Sequence, residues 1–188
     1  MREDIIPGSS FPDYELKNHE GKSRKLSVLQ GNNPMILTLS RGHFCPKEHR
    51  FHRKLVDFYP ELDVSYVELI TISTDEKLEL LEFKKALGAQ WTFLGDPERK
   101  IQQDLDIREY TDPKHDPMIP HVFILEPDLK IYKIYNGYWY MGKPSIHELI
   151  QDLREVSKKI RFDWDLSSKK VKQSWENGEK EKFWPYTS

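Results

Sequence analysis

The chain has 188 residues and a mass of 22.4 kDa, which is enough for one domain with a hydrophobic core of its own. Its 29 Lys and Arg residues against 31 Asp and Glu give a net charge of −2, which argues against nucleic acid or an anionic membrane as a partner. The hydrophobic share is 37%, and no apolar run approaches the roughly 18 residues of a membrane span.

Short apolar runs alternate with segments of helical period along the chain, and this alternation is typical of an α/β domain. Residues 14–16 and 24–26 predict a small β-ribbon that turns near Gly21. The next run, Met35–Ser40, has the sequence MILTLS and is too short for a helix. It predicts a strand at the centre of a sheet, buried on both faces.

A helix is predicted directly after the cysteine segment. Pro46 suits its first turn because the N–H that proline lacks has no partner there, and we expect Pro60 to interrupt this helix. Residues 66–72 predict a second strand, and the helix after it is expected to end at Gly88. The apolar residues that predict this second helix are Leu78, Leu81 and Leu87.

The remaining elements complete a central mixed β-sheet flanked by helices. They are a short strand at 91–94, a helical turn over 96–105, a loop at 112–120, a hairpin of strands at 121–125 and 130–135, and an amphipathic helix at 144–160. We expect one domain over residues 1–165 and a C-terminal extension over 166–188. Because this extension mixes charges with Trp175, Phe183 and Trp184, we expect it to dock on the domain or on a partner chain.

Cys45 is the only cysteine in the sequence, so the chain has no internal disulfide and no multi-thiolate metal site. It begins a predicted helix, where the helix dipole and unpaired backbone N–H groups favour thiolate over thiol. Arg41 and His43 add positive potential, and we expect His49 to tune the thiolate. A lone thiol suits a reducing cytoplasm, and the acidic residues before Pro7 lack the pattern of a secretory signal. We therefore expect a reactive cysteine in a cytoplasmic protein.

The order of elements over about residues 5–160 resembles the peroxiredoxin family, in its alkyl hydroperoxide reductase and thiol-specific antioxidant branch. The run RGHFCPKE, residues 41–48, is similar to the Arg-Gly-x-aromatic-Cys-Pro run of peroxiredoxin-like redoxins and to the Cys-Pro-x-Glu of many peroxiredoxins. The resemblance implies a thioredoxin-like fold and assigns Cys45 the role of the thiolate that attacks a peroxide and becomes a sulfenic acid. Pro120, before His121, resembles the proline, usually cis, that faces the cysteine in such folds.

Three positions depart from the family pattern. Gly42 stands where peroxiredoxins usually have Thr or Ser, and Pro120 stands where they have a second arginine, which leaves Arg41 as the one obvious cation near the sulfur. Glu48 stands where many redoxins have a second cysteine. The resemblance thus implies a one-cysteine peroxidase without a cofactor, which reduces hydrogen peroxide or a small organic hydroperoxide. An external thiol, either a small molecule or a thioredoxin-type protein, would recycle it.

Two other hypotheses stay open. The first is a metal site, because His43, Cys45, His49 and His52 have a spacing that could bind zinc or copper. The second, and the main alternative, is a thioredoxin-fold module without catalysis, which senses redox state or binds a protein partner. Slow mixed-disulfide formation by Cys45 would serve such a module.

Aromatic residues crowd the region after the second hairpin strand, and we expect them to pack within the fold. They are Tyr132, Tyr135, Tyr138, Trp139 and Tyr140. The same residues would also suit a partner surface or the interface of a homodimer. His115 is expected to be a polar loop residue, and His121 is expected at a strand edge near Cys45.

Overall fold

A computed structural model describes residues 1–161, 165 and 167–179. Its centre is a seven-stranded mixed sheet in the order β2-β1-β5-β4-β3-β6-β7. The strands are β1 Glu15–Asn18, β2 Ser23–Lys25, β3 Met35–Ser40, β4 Glu68–Ser73, β5 Thr92–Gly95, β6 His121–Glu126 and β7 Lys130–Asn136. Each begins within two residues of its predicted start. None of the helices in these described ranges is long and apolar enough to span a bilayer.

The helices cover both faces of this sheet. They are α1 Leu26–Gln30, α2 Pro46–Val64, α3 Lys77–Leu87, α4 Lys100–Asp104, α5 Ile146–Ile160 and α6 Lys169–Glu176, with a 3₁₀ turn at Tyr140–Gly142. Ser145 caps α5 because its hydroxyl accepts from the N–H of Glu148 while the Glu148 side chain returns a bond to the Ser145 N–H. Gly88 ends α3 in the left-handed conformation, as the sequence predicts.

The central strand β3 positions the cysteine segment. It pairs in parallel with β4 and antiparallel with β6, and all six of its residues are buried, which confirms the prediction. Ser40 lies opposite Ser73 in the parallel pair, so β3 and β4 end at the same edge of the sheet. The loop that carries Cys45 starts from this edge.

Two helix predictions were wrong in detail. The helix α2 continues through Pro60 to Val64, because its last turn still buries Leu62 against the core while the proline itself stays exposed. In α3 the buried stripe is Leu80, Phe83 and Leu87, whereas Leu78 points to solvent. The short helix α1 was not predicted.

The C-terminal extension is described only in part. Within it, Lys169–Glu176 forms α6, which begins at the capping residue Ser168 and has no buried residue. Phe183 and Trp184 lie outside the described residues. The division into a domain at 1–165 and a docked tail at 166–188 stays a prediction.

Candidate active site

Cys45 lies at the N-terminus of α2, where the sequence places it. It has extended backbone angles, with φ −91° and ψ 112°, and its carbonyl accepts hydrogen bonds from the N–H groups of Glu48 and His49 at 3.0 and 3.2 Å. The side chain is only 2% exposed. The first N–H groups of a helix create positive potential, and Cys45 lies at that end of α2.

Arg41 reaches from the end of β3 to the sulfur. Its Nη1 atom lies 3.9 Å from Cys45 Sγ. The other two guanidinium nitrogens are in ion pairs at 3.0 Å, Nε with Glu109 and Nη2 with Asp112. One guanidinium is therefore shared between the sulfur and two carboxylates.

The loop before β6 covers this arrangement. The His115 ring stacks on the Phe44 ring at 3.8 Å with an angle of 5° between the planes, and His115 Nδ1 lies 3.0 Å from Asp112. Desolvation raises the pKa of Asp112, but hydrogen bonds from His115 and the charge of Arg41 outweigh this effect, so the pKa is lowered overall. His115 is thus a structural part of the site rather than a plain loop residue. Glu109 and Asp112 were not predicted as partners of Arg41, and only Asp112 lies in the predicted proline-rich loop.

A buried ion pair lies on the other side of the cysteine segment. Lys143 Nζ is 2.6 and 2.8 Å from the two carboxylate oxygens of Glu48. Ser40 Oγ donates to the same carboxylate at 3.1 Å. Lys143 is thus a second cation that contacts the cysteine segment, at Glu48, whereas Arg41 contacts the sulfur itself. No local pattern marked Lys143, because 95 residues separate it from Glu48.

The structure explains why position 42 is a glycine. Gly42 has φ +116°, and a Cβ atom built there would lie 2.5 Å from Asp75 Oδ1. The Asp75 carboxylate accepts from the His43 N–H at 2.9 and 3.1 Å and from Ser73 Oγ at 2.8 Å. Burial raises the pKa of Asp75 against the effect of these hydrogen bonds. A Thr or Ser at position 42 would need both a strained backbone and the space that Asp75 fills.

The three histidines do not converge on a metal. His49 Nε2 is engaged by the His43 carbonyl at 2.8 Å, and its ring packs against Phe83. His52 is fully buried, with Nδ1 2.9 Å from the Glu48 carbonyl, and burial lowers its pKa to about 4. Among the residues that the structure describes, no group of three or more His, Cys, Asp and Glu side chains could hold a metal ion. The metal hypothesis is therefore not supported.

His121 begins β6 and Pro120 directly precedes it. The peptide bond before Pro120 differs from the cis form that is usual in such folds. The described residues contain no cis peptide bond, so the bond before Pro120 is trans. The Pro120 carbonyl accepts from the Gly137 N–H at 2.7 Å. His121 pairs with Leu39 in the sheet and is buried, which lowers its pKa to about 4.

A cavity of about 280 Å³ opens beside the cysteine segment. Its lining includes Arg41, Glu48, Pro120 and Lys143, together with aromatic residues after β7. Of those aromatics, Trp139 is 74% exposed, and Tyr138 is also exposed. The prediction of internal packing is wrong for these two, whereas Tyr132, Tyr135 and Tyr140 do pack against the core.

Known proteins share sequence similarity with most of this chain. The family model described as the AhpC/TSA family matches residues 7–134. The thiol-disulfide oxidoreductase ResA of Bacillus subtilis is 23% identical over 148 residues, covering 78% of this chain and 75% of that protein. A putative peroxiredoxin of Mycobacterium tuberculosis is 24% identical over 139 residues, covering 71% and 87%.

Solved structures share the fold at low identity. Peroxidoxin BcpB from Mycobacterium tuberculosis has a TM-score of 0.68 at 19% identity, over 80% of this chain and 95% of that one. A mutant of peroxiredoxin 6 of Arenicola marina has a TM-score of 0.72 at 19% identity, over 84% and 76%. A yeast mitochondrial 1-Cys peroxiredoxin, described with glutathione and thioredoxin systems, has a TM-score of 0.67 at 18% identity, over 82% and 78%. The predicted thioredoxin-like fold with a mixed sheet is confirmed.

Proposed function

Since the chain belongs to the AhpC/TSA family and is a peroxiredoxin-like oxidoreductase, we propose that it is a peroxidase of the one-cysteine type with Cys45 as its reactive thiolate. The observation that carries this proposal is the position of the Cys45 sulfur. It lies at the N-terminus of α2 and 3.9 Å from the Arg41 guanidinium. Both groups stabilise a thiolate and the negative charge that develops on the leaving oxygen.

The first step oxidises the sulfur by two electrons. The Cys45 thiolate attacks one oxygen of hydrogen peroxide or of a small organic hydroperoxide, and the O–O bond breaks. The sulfur becomes a sulfenic acid, and the leaving oxygen takes a proton from solvent to give water or an alcohol. Arg41 is the cation that would contact both the sulfur and the charged leaving oxygen as the O–O bond breaks.

The return to thiol needs an external reductant, because the sequence holds one cysteine. A first thiol condenses with the sulfenic acid to form a mixed disulfide and water, and a second thiol releases the Cys45 thiol and a disulfide. A low-molecular-weight thiol or a thioredoxin-type protein has the required chemistry. The similarity to a 1-Cys peroxiredoxin supports this route. A cytoplasmic location is part of the proposal, because a lone free thiol suits a reducing compartment.

The second candidate is a redox-sensing or protein-binding module without peroxidase activity. The observation that favours it is the pair of replacements Gly42 and Pro120 at positions where the resemblance leads us to expect a hydroxyl and an arginine. The exposed Trp139 beside the site cavity would then serve to bind a partner or a second copy of the chain.

Stopped-flow tryptophan fluorescence separates the two candidates. We expect hydrogen peroxide or an organic hydroperoxide to oxidise Cys45 far faster than a free thiol, with intact mass showing one added oxygen that an external thiol removes. Cys45→Ser should abolish the signal, and Arg41→Met should slow oxidation by about 100-fold. The exposed Arg50→Met on the first turns of α2 is the matched control and should keep the wild-type rate. A wild-type rate equal to that of a free thiol would favour the module.

A further inference from the structure

Lys143 and Glu48 form an ion pair that is almost completely withdrawn from solvent. The side chain of Lys143 is 5% exposed and that of Glu48 is 1% exposed. The ammonium group also lies 4.5 Å from the centre of the Phe51 ring, a cation–π contact. A buried pair of this kind contributes little net stability, but the loss of one partner leaves an uncompensated charge in the interior.

The pair is connected to the cysteine segment in two ways. The Glu48 N–H donates to the Cys45 carbonyl at 3.0 Å, and Ser40 Oγ links the Glu48 carboxylate to the Gly42 N–H, which lies 3.3 Å from that hydroxyl. Lys143 and Glu48 also line the cavity that Arg41 lines, and Arg41 contacts the sulfur. A change in the charge of the pair therefore acts on the surroundings of the sulfur.

The charges around Cys45 come from several elements. They are Arg41 after β3, Asp75 after β4, Glu48 and the neutral His52 on α2, Glu109 and Asp112 in the loop before β6, and Lys143 before α5. Two cations thus lie among four carboxylates. The removal of the Lys143 charge would leave a thiolate with one cation and four carboxylates around it, and like charges disfavour ionisation.

We propose that Lys143 is a positioning residue that neutralises and fixes the Glu48 carboxylate, so that Cys45 ionises and reacts beside Arg41 without an unpaired buried negative charge. The proposal rests on the proposed role of Cys45 as the reactive thiolate. It assigns Lys143 no contact with peroxide. Its action on the sulfur passes through Glu48, which lies one helical turn after Cys45.

The test is the pH profile of Cys45 alkylation by iodoacetamide, which reports the thiolate without any peroxide. Lys143→Met should raise the pH midpoint by about one unit, so that alkylation below the midpoint becomes about tenfold slower. Glu48→Gln should shift the midpoint in the opposite direction, because it leaves the Lys143 charge unopposed. Lys143→Arg and the double variant Glu48→Gln/Lys143→Met should both stay close to wild type.

Opposite shifts distinguish an electrostatic role from a structural one, because a loosened site would shift both single variants in the same direction. The matched control is Lys159→Met, which breaks the Lys159–Glu126 pair at 2.5 and 2.8 Å and should leave the midpoint unchanged. An unchanged midpoint in folded Lys143→Met would overturn the proposal. If Lys143→Met does not fold, Glu48→Gln decides, since the absence of a downward shift there also overturns it. Slow wild-type oxidation by peroxide together with opposite alkylation shifts would instead refute the peroxidase alone.

Discussion

The two faces of the central strand pair β3–β4 differ sharply in composition. One face is apolar after Glu68 at the start of β4, with Leu37 and Leu39 beside Ile70 and Ile72 in one core cluster. The other face begins with Ile36 and Leu69 and then changes to hydroxyl residues towards the edge where the cysteine loop starts. Thr38 lies opposite Thr71, and Ser40 lies opposite Ser73. We call the first the apolar face. The second, which changes from apolar residues to Thr and Ser along its length, is the hydroxyl face.

Three of these four hydroxyls bind a polar group of the site or its surroundings, and Thr38 donates to Thr71. Ser40 donates to Glu48, and Ser73 donates to Asp75. Thr71 accepts from the Trp91 indole N–H at 2.9 Å and lies 3.2 Å from His52 Nε2. Buried polar groups persist only when they have hydrogen-bond partners, so these hydroxyls make it possible to bury the charged residues next to Cys45. Stability and chemistry are therefore placed on opposite faces of the same two strands.

The largest expected effect is on the apolar face. Leu37→Ala should lower the free energy of unfolding by about 2–5 kcal/mol, since it opens a cavity at a fully buried position, while Cys45 keeps its alkylation profile. Its counterpart on the hydroxyl face is Ser40→Ala, which should cost only about 1 kcal/mol but change the alkylation profile through Glu48. Urea unfolding and iodoacetamide kinetics measure the two quantities. Equal effects of both variants on both quantities would remove the distinction between the faces.

The next effect concerns the loop that joins the hydroxyl face to Cys45. Gly42→Ala should destabilise the protein by about 2–3 kcal/mol, because alanine is strained at φ +116° and its Cβ would meet Asp75. It should also slow the oxidation of Cys45, since the His43 N–H would move away from Asp75.

The matched control for this prediction is Gly31→Ala. Gly31 also has a positive φ, +57°, but no atom lies within 4 Å of its built Cβ. The control should therefore show the backbone cost alone, a smaller loss of stability than in Gly42→Ala, with a wild-type rate of oxidation. A loss of stability no larger in Gly42→Ala than in Gly31→Ala would show that Asp75 moves aside without cost.

The strands and helix starts, which depend on neighbouring residues, could be predicted from the sequence. The ion-pair partners in the site, which lie far apart in the chain, could not. The strand Met35–Ser40 and the helix start at Pro46 follow from local pattern, and together they place Cys45 correctly. The partners of Glu48 and Arg41 lie 95 and 71 residues away, and no local pattern encodes such choices. One usable signal was present but not used: both central strands carry hydroxyls at alternate positions near their ends, which marks one face as polar.

The last expected effect on stability is a dependence on pH that His52 adds to the hydroxyl face. Burial, aided by the charge of Lys143, lowers the pKa of His52 to about 4, whereas an unfolded histidine titrates near 6.5. Between these values the unfolded chain binds a proton that the folded chain does not, so the stability falls as the pH falls. For this group the loss from pH 7 to pH 5 is about 2 kcal/mol.

The measurement is urea unfolding of wild type and His52→Gln at pH 7 and pH 5, with the exposed His147→Gln as the matched control. Burial raises the pKa of Asp75 and of Asp96, so these carboxyls make the folded state more stable as the pH falls, opposite to His52. Their contribution is the same in wild type and variant, so it cancels when the two are compared. His52→Gln should be less stable than wild type at pH 7 but lose about 2 kcal/mol less on acidification, whereas His147→Gln should follow wild type. His121 is buried on the apolar face and its pKa is also lowered to about 4, so it adds the same pH dependence of stability to both variants. If wild type and His52→Gln lost equal stability between pH 7 and pH 5, His52 would be protonated within the folded protein. The hydroxyl face would then hold one more buried positive charge than its hydrogen bonds indicate.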